Sequence, residues 1–270
     1  MAHDRHVLYE ASVQGVDYDL DFLERVYRRH HGHSFRRFRE DFCGTAAMAA
    51  AWVRRSPEHR AWGVDLDREV LAWARSRRLP PMREAARRLT LVRGDVRTAR
   101  VPRVDLTCAF NFSWWVFKQR AELLAYLRSV RRGLRPGGML IMNMFGGTEA
   151  MEKIVEPRRI PASQSVDGQR VPSFIYEWDQ TSFNPVDHHI TCSIHFKLKG
   201  GKVMRHAFRY DWRLWTLPEI RDALAEAGFR ASEVYVEGWD DAKGESDDKL
   251  HLRKKFENQE SWLAYVVGLT

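Results

Sequence analysis

The stretch from Arg39 to Val53 restricts this chain more than any other. Arg39-Glu40-Asp41-Phe42-Cys43-Gly44-Thr45-Ala46 carries a charged segment into a small-residue turn, and the Ala-rich run from Met48 to Val53 follows with high helix propensity. Gly44 has no Cβ, so its backbone can take a φ that other residues avoid and let a ligand approach closely. Thr45 reads as the cap of the following helix, whose free N–H groups and positive dipole end favour electron-rich ligand atoms. Asp65 stands 21 positions beyond Gly44, closing Ala61-Trp62-Gly63-Val64. An acid at that distance from a Gly turn, at the end of a second strand, is where nucleoside-binding α/β folds hydrogen-bond a ribose.

The rest of the chain supplies the alternation such a site needs. Leu20, Phe22, Leu23, Val26 and Tyr27 give Val16–Arg29 the spacing of an amphipathic helix beginning near Asp17 or Asp19. Phe35–Phe42 reads as a first strand, rich in arginine for a central one, and His59–Asp65 as a second. Arg68–Arg78 reads as a helix broken by Leu79-Pro80-Pro81. Leu89–Val92 is a third strand that ends at Gly94-Asp95, and Val104–Phe110 a fourth, apolar enough for burial on both faces. Ala121–Leu134 reads as a helix stopped by Pro136-Gly137-Gly138, with a fifth strand over Met139–Met144. Strands alternating with helices imply βαβ units and a parallel sheet.

After Gly147 the pattern changes. Ser173–Trp178, His188–Phe196 and Lys202–Trp215 favour β-branched and aromatic residues, with turns at Asn184–Asp187 and Lys199–Lys202, so an antiparallel unit is inserted here. Thr216-Leu217-Pro218-Glu219 is a capping-box start for a helix that Gly228 stops. Arg230–Val236 and Trp262–Val267 read as closing strands, separated by a polar segment, Asp240–Asp248, expected to be mobile.

Taken in order, Glu40-Asp41-Phe42-Cys43-Gly44-Thr45-Ala46, Gly63-Val64-Asp65-Leu66-Asp67, Arg93-Gly94-Asp95-Val96 and Leu134-Arg135-Pro136-Gly137-Gly138 resemble the class I S-adenosylmethionine-dependent methyltransferases, small-molecule type, over roughly residues 36–145. The sequence departs from the family's Gly-x-Gly-x-Gly turn: Phe42, Gly44 and Ala46 occupy the three positions, so one glycine survives. The resemblance implies an α/β fold, a Rossmann-like, mostly parallel seven-stranded sheet with helices on both faces, plus the antiparallel insertion. It divides the chain into an N-terminal lid (1–34), a cofactor-binding core (35–150), an insertion over the substrate (151–215) and a C-terminal completion of the sheet (216–270).

The same resemblance assigns roles. S-adenosylmethionine would be held by Glu40, Cys43, Gly44, Thr45, Asp65, Leu66 and Asn111, with Asp95 accepting from the adenine amino group and the Val96 N–H facing the ring. Tyr9 would close over the cofactor, the alternative being a tyrosine that packs the first helix onto the sheet. Arg39 would reach the cofactor carboxylate or pair with Glu40 or Asp41. Ligands of open α/β sheets lie beyond the carboxyl ends of the strands, so the run from Asn111 to Phe117 borders the site. Trp114 and Trp115 offer π faces to a cation such as an amine substrate, one of the two being expected in the core or a subunit contact. Asn143, Tyr176 and Trp178 complete the substrate side, with Asn111, Trp115 and His188 as positioning candidates.

Composition narrows the alternatives. The net charge is +8, but the arginines are scattered along helices with no basic block of five, which makes nucleic acid an unlikely partner. Nothing approaches a membrane span and no apolar leader begins the chain. Three cysteines without metal-ligand spacing suit a reducing cytoplasm, and Cys43 lies in the turn rather than in a nucleophile constellation. His189 and His195 lie six positions apart with no carboxylate at ligand spacing, so no metal is expected. The reading is therefore methyl transfer to a small molecule, at nitrogen before oxygen or sulfur. An RNA or protein acceptor and, less favoured, a nicotinamide-dependent oxidoreductase are the alternatives. A homodimer is compatible with the sequence.

Overall fold

The computed structural model describes residues 4–240 and 245–270. Two helices lead, α1 (Arg5–Val13) and α2 (Val16–His31). The core follows as β1 (Arg37–Asp41), α3 (Ala47–Arg55), β2 (Arg60–Asp65), α4 (Arg68–Trp73), β3 (Leu89–Arg93), β4 (Val104–Ala109), α5 (Arg120–Gly133) and β5 (Leu134–Gly146). The insertion comprises β6 (Ile154–Ile160), the short β7 (Ser163–Gln164) and β8 (Arg170–Val171), β9 (Phe174–Asn184), β10 (His189–Lys197) and β11 (Val203–Arg213). The chain closes with α6 (Leu217–Glu226), β12 (Ala231–Asp240), β13 (Glu245–Leu252) and β14 (Trp262–Leu269).

The main sheet has the order β13-β12-β14-β5-β4-β1-β2-β3. Pairings from β3 through β5 are parallel, whereas β14 runs antiparallel to both β5 and β12, the closing pair that the resemblance implies. The sheet has eight strands, one more than expected. The extra one, β13, starts inside the polar segment expected to be mobile; residues 241–244 of that segment lie outside the described residues. β13 pairs only with β12 at the sheet edge, where a polar strand is tolerated and shows no apolar alternation.

Local chemistry explains the elements. In α2, Asp17 and Asp19 occupy the first turn and Arg28, Arg29, His30 and His31 the last, each complementing the helix dipole, and Gly32 ends the helix in the left-handed region. The Thr216/Glu219 capping box forms as expected, Glu219 accepting from the Thr216 N–H at 2.9 Å. β4 is buried throughout, between β1 and β5. The arginine-rich β1 is accommodated because Arg37 points to solvent while buried Arg39 is neutralised by Asp41, its Nε donating to Oδ1 at 2.7 Å.

The insertion is a four-stranded antiparallel sheet, β11-β10-β9-β6, that includes one strand the sequence patterning does not reveal. β6 (Ile-Val-Glu-Pro-Arg-Arg-Ile) is almost wholly exposed and carries a proline, the composition of an edge strand. Register sets which side chains share a face. Glu156, Trp178, Ile194 and Phe208 form one cross-strand row, and Ile154, Gln180, Cys192 and Tyr210 a parallel one. This face covers the carboxyl end of the main sheet.

Candidate active site

β1 lies between β2 and β4, and the chain crosses from one side of it to the other after β3. Such a switch point opens a crevice beyond the strand ends. A cavity of about 460 Å³ occupies it, lined from β1 and its turn by Glu40, Cys43, Gly44 and Thr45, from β2 by Asp65, and from α1 by Tyr9.

The turn at its base has the conformation of a triple-glycine turn with one glycine. Phe42, Gly44 and Ala46 have φ of 56°, 51° and 56°. Left-handed backbone at a non-glycine residue costs roughly 1–2 kcal/mol, so two of these positions are held by their surroundings. Asp65 holds the middle one, its Oδ2 accepting from the Gly44 N–H at 2.7 Å while Oδ1 accepts from Asp67 at 2.9 Å. Arg78 holds the next, donating from Nε to the Thr45 carbonyl at 2.8 Å and pairing with Glu10 of α1.

Contrary to the expectation from the sequence, Thr45 does not cap α3. Ala46 takes the cap position with no side-chain hydrogen bond, and the buried Thr45 Oγ1 has no partner among the described residues. The Gln14 Oε1, after α1, is likewise buried and unpartnered, and both residues line this cavity. Buried polar atoms in native proteins are normally satisfied, so these two are suited to a polar ligand. The lining has an excess of acids: Asp19, Glu40, Asp41, Asp65 and Asp67 stand against Arg5 and Arg209. Burial raises the Glu40 carboxyl to about 8, opposed by its hydrogen bond from the Ala49 N–H. Burial raises Asp19 to about 6, opposed by the Tyr265 hydroxyl that donates to it at 2.7 Å. Cationic and hydroxyl-rich groups fit this wall.

Several expected residues stand elsewhere. Arg39 is committed to Asp41 and, through Nη2, to the Val96 carbonyl at 2.8 Å, so its charge does not reach the cavity. Leu66 is 67% exposed, outside the lining. The Asp95 carboxylate is turned to Arg97, whose Nη2 donates at 2.7 Å and holds the carboxyl below its usual range, while Val96 is buried; neither lines the cavity.

A second cavity, about 580 Å³, lies under the insertion. Its roof is the cross-strand face of β6, β9, β10 and β11, including Tyr176, Trp178, Tyr210 and Trp212, and its floor is Phe112 and Phe145. Tyr9, Asn111 and Tyr210 belong to both cavities, so the two are lobes meeting at these side chains. The floor is set by a strained turn: Asn111 and Phe112 have φ of 54° and 58°. Asn143 anchors it, accepting from the Phe112 N–H at 3.2 Å through Oδ1 and from Trp114 Nε1 at 2.8 Å through its carbonyl.

Asn143 is thus beneath the site, not in its lining. The same holds for both tryptophans after β4, where one was expected to face a substrate: Trp114 and Trp115 are fully buried. Trp115 packs edge-on to Trp212 at 5.9 Å and against Phe145 at 4.7 Å, which makes it the support of the floor. His188 sits in the β9–β10 turn with its ring against Phe183, away from both lobes. Tyr176 and Trp178 do line the second lobe. Sequence reasoning missed Gln14, Asp19, Phe145, Tyr210 and Trp212, and of these only the aromatic alternation Phe208-x-Tyr210-x-Trp212 signalled the last two; Phe112 lies in the run expected to border the site and does line it.

Residues 40–138 match the family model of the methyltransferase domain. No curated protein sequence matches the chain. Among solved structures, the chain is similar to an S-adenosylmethionine-dependent methyltransferase from Clostridium acetobutylicum ATCC 824, at 16% identity over 97% of this chain and 96% of that one, with a TM-score of 0.68. It is also similar to CalS10, an amino pentose methyltransferase from Micromonospora echinaspora, at 19% identity over 100% and 98% of the two chains, TM-score 0.67. A third similar structure is the sugar N-methyltransferase KedS8 from Streptoalloteichus sp ATCC 53650, at 17% identity over 100% and 93%, TM-score 0.62. Residues 40–138 thus match a methyltransferase domain, and the fold of the whole chain is similar to that of solved S-adenosylmethionine-dependent methyltransferases.

Proposed function

We propose that the protein transfers a methyl group to a nitrogen of a small-molecule amine by in-line displacement. The observation that carries this reading is the contact of two lobes at Tyr9, Asn111 and Tyr210, one acidic and backbone-lined, the other aromatic. When bound, S-adenosylmethionine supplies an electrophilic methyl on a sulfonium, and the protein's task is orientation and exclusion of water. Gly44, Thr45 and Asp65 would hold its nucleoside part, with Asp19, Glu40 and Gln14 toward its amino-acid part. Burial pushes the Tyr9 phenol up to about 12 and also raises that of Tyr210. Both hydroxyls therefore stay protonated at neutral pH and act as hydrogen-bonding guides rather than bases. Residues 1–34 serve as lid, 35–150 as donor core, 151–215 as acceptor roof and 216–270 as completion of the sheet.

Small-molecule chemistry is favoured over a nucleic-acid acceptor because arginines are widely paired: Arg55 with Asp17, Asp21 and Glu24, and Arg120 and Arg128 with Glu226. The buried, unbridged Cys43, Cys108 and Cys192 support a reducing setting, which we read as cytoplasmic. Among the described residues no helix is long and apolar enough to cross a membrane. Isothermal titration with S-adenosylhomocysteine tests the donor site, and a labelled-methyl assay over amines, phenols and carboxylates tests the acceptor. No binding to the wild type would end the reading; transfer only to oxygen would overturn the nitrogen assignment.

A further inference from the structure

The acceptor lobe has a charge that runs against the rest of the chain. The protein carries 44 Lys and Arg against 36 Asp and Glu. Yet the charged side chains lining this lobe are three acids, Glu149, Glu156 and Glu237, and one base, Arg158. The acids arrive from three separate elements: the segment after β5, β6 and β12. The base is engaged, since Arg158 donates to the Ser12 carbonyl of the lid and lies over the Tyr176 ring at 5.2 Å. Between the acids stand Trp178, Tyr210 and Trp212, with Tyr210 stacked on Trp212 at 4.2 Å. Aromatic faces and carboxylates together attract cations. The lobe's volume of about 580 Å³ is the size that encloses a drug-sized molecule rather than a one-carbon or two-carbon amine.

We propose, resting on the methyltransferase reading above, that the acceptor is a free, multiply cationic amine: at least two protonatable nitrogens on one carbon frame, with no phosphate attached. One nitrogen, deprotonated, meets the methyl at Tyr9, Asn111 and Tyr210, while a second, still charged, lies among Glu149, Glu156 and the indoles. A nucleoside-diphosphate-linked amino sugar fits poorly, because its two phosphate charges would enter a wall where three carboxylates face a single guanidinium.

The test is a labelled-methyl assay on the full-length protein with three probes: spermine, kanamycin and a thymidine-diphosphate amino sugar. Spermine or kanamycin is expected to be methylated with a kcat/KM at least ~100-fold above the nucleotide-linked sugar, and Glu149→Gln and Glu156→Gln to raise KM about tenfold each, a factor equal to ~1.4 kcal/mol of binding. Equal or better turnover of the nucleotide-linked sugar overturns the proposal. So does the absence of both methylation and calorimetric binding of either polyamine to the S-adenosylhomocysteine complex, or an unchanged KM in both variants. Failure of S-adenosylhomocysteine itself to bind would be a different result, striking the methyltransferase reading and not the acceptor class alone.

Discussion

The Asp65 carboxylate and the Gly44 amide are joined by a 2.7 Å hydrogen bond between the end of β2 and the turn after β1. The two features that define the donor lobe in sequence are therefore one unit in space. Asp65 both shapes the left-handed turn and offers the cavity its remaining lone pairs. Replacing it removes a charge-assisted hydrogen bond worth about 1.5–3 kcal/mol. Asp65→Ala is expected to weaken S-adenosylhomocysteine binding by at least ~10-fold in calorimetry, with Asp65→Asn intermediate. Unaltered affinity in the alanine variant would remove Asp65 from the site.

Asp19 gives donor binding a pH dependence. Its carboxyl, raised to about 6 mainly by burial, is charged above that pH and neutral below it. A cationic ligand group beside it binds the charged form better, so affinity should rise as pH increases through 6. Calorimetry between pH 5 and 7.5 should show tightening with pH in the wild type and a flatter profile in Asp19→Asn.

Glu40 acts on stability in the ligand-free protein. Its folded pKa of about 8 exceeds the ordinary value of 4.5. The folded state thus binds more protons between those values, and its relative stability is fully present below pH 4.5 and lost as pH rises through 8. The whole effect is on the order of a few kcal/mol. Glu40→Gln should flatten the fall in Tm between pH 5 and 8.5, and an equally steep fall in the variant would place the titration elsewhere.

The start of α1 is tethered by charge. Arg77 donates to Asp4 at 2.8 Å and to Asp167, in the β7–β8 turn, at 2.6 Å, and Trp73 Nε1 donates to Asp4 at 2.6 Å. Partly exposed pairs of this kind contribute about 0.2–1 kcal/mol each. Arg77→Ala should speed amide exchange in α1 by several-fold while β4 and β5 keep their protection, and should raise the KM for the methyl donor.

Asn143 holds the strained floor without touching ligand. Removing its Oδ1 leaves the Phe112 N–H unpaired at a left-handed position, a loss of about 1–3 kcal/mol. Asn143→Ala is expected to lower kcat more than it alters donor affinity, because the displaced residue, Asn111, stands where the lobes meet. Equal losses in both would mean general unfolding.

Much of the architecture was legible because parallel strands buried on both faces write themselves as apolar runs, as in Val104–Ala109, and because the Gly44–Asp65 spacing reflects one strand–helix–strand unit. What escaped had a physical reason. β6 and β13 lie at sheet edges, and β6 is almost wholly exposed, so edge position rather than an apolar periodicity marks them. Whether Trp114 and Trp115 face a ligand depends on partners far along the chain: Asn143, 29 positions from Trp114, anchors the first, and Trp212, 97 positions from Trp115, packs on the second. Asp95 is drawn to Arg97, two positions on, a choice between neighbours that spacing alone leaves open.

Tyr9 walls both lobes, and the helix that carries it is pinned at one end to α4 and at the other to β6. The two lobes therefore share one wall, and any displacement of α1 alters both of them at once.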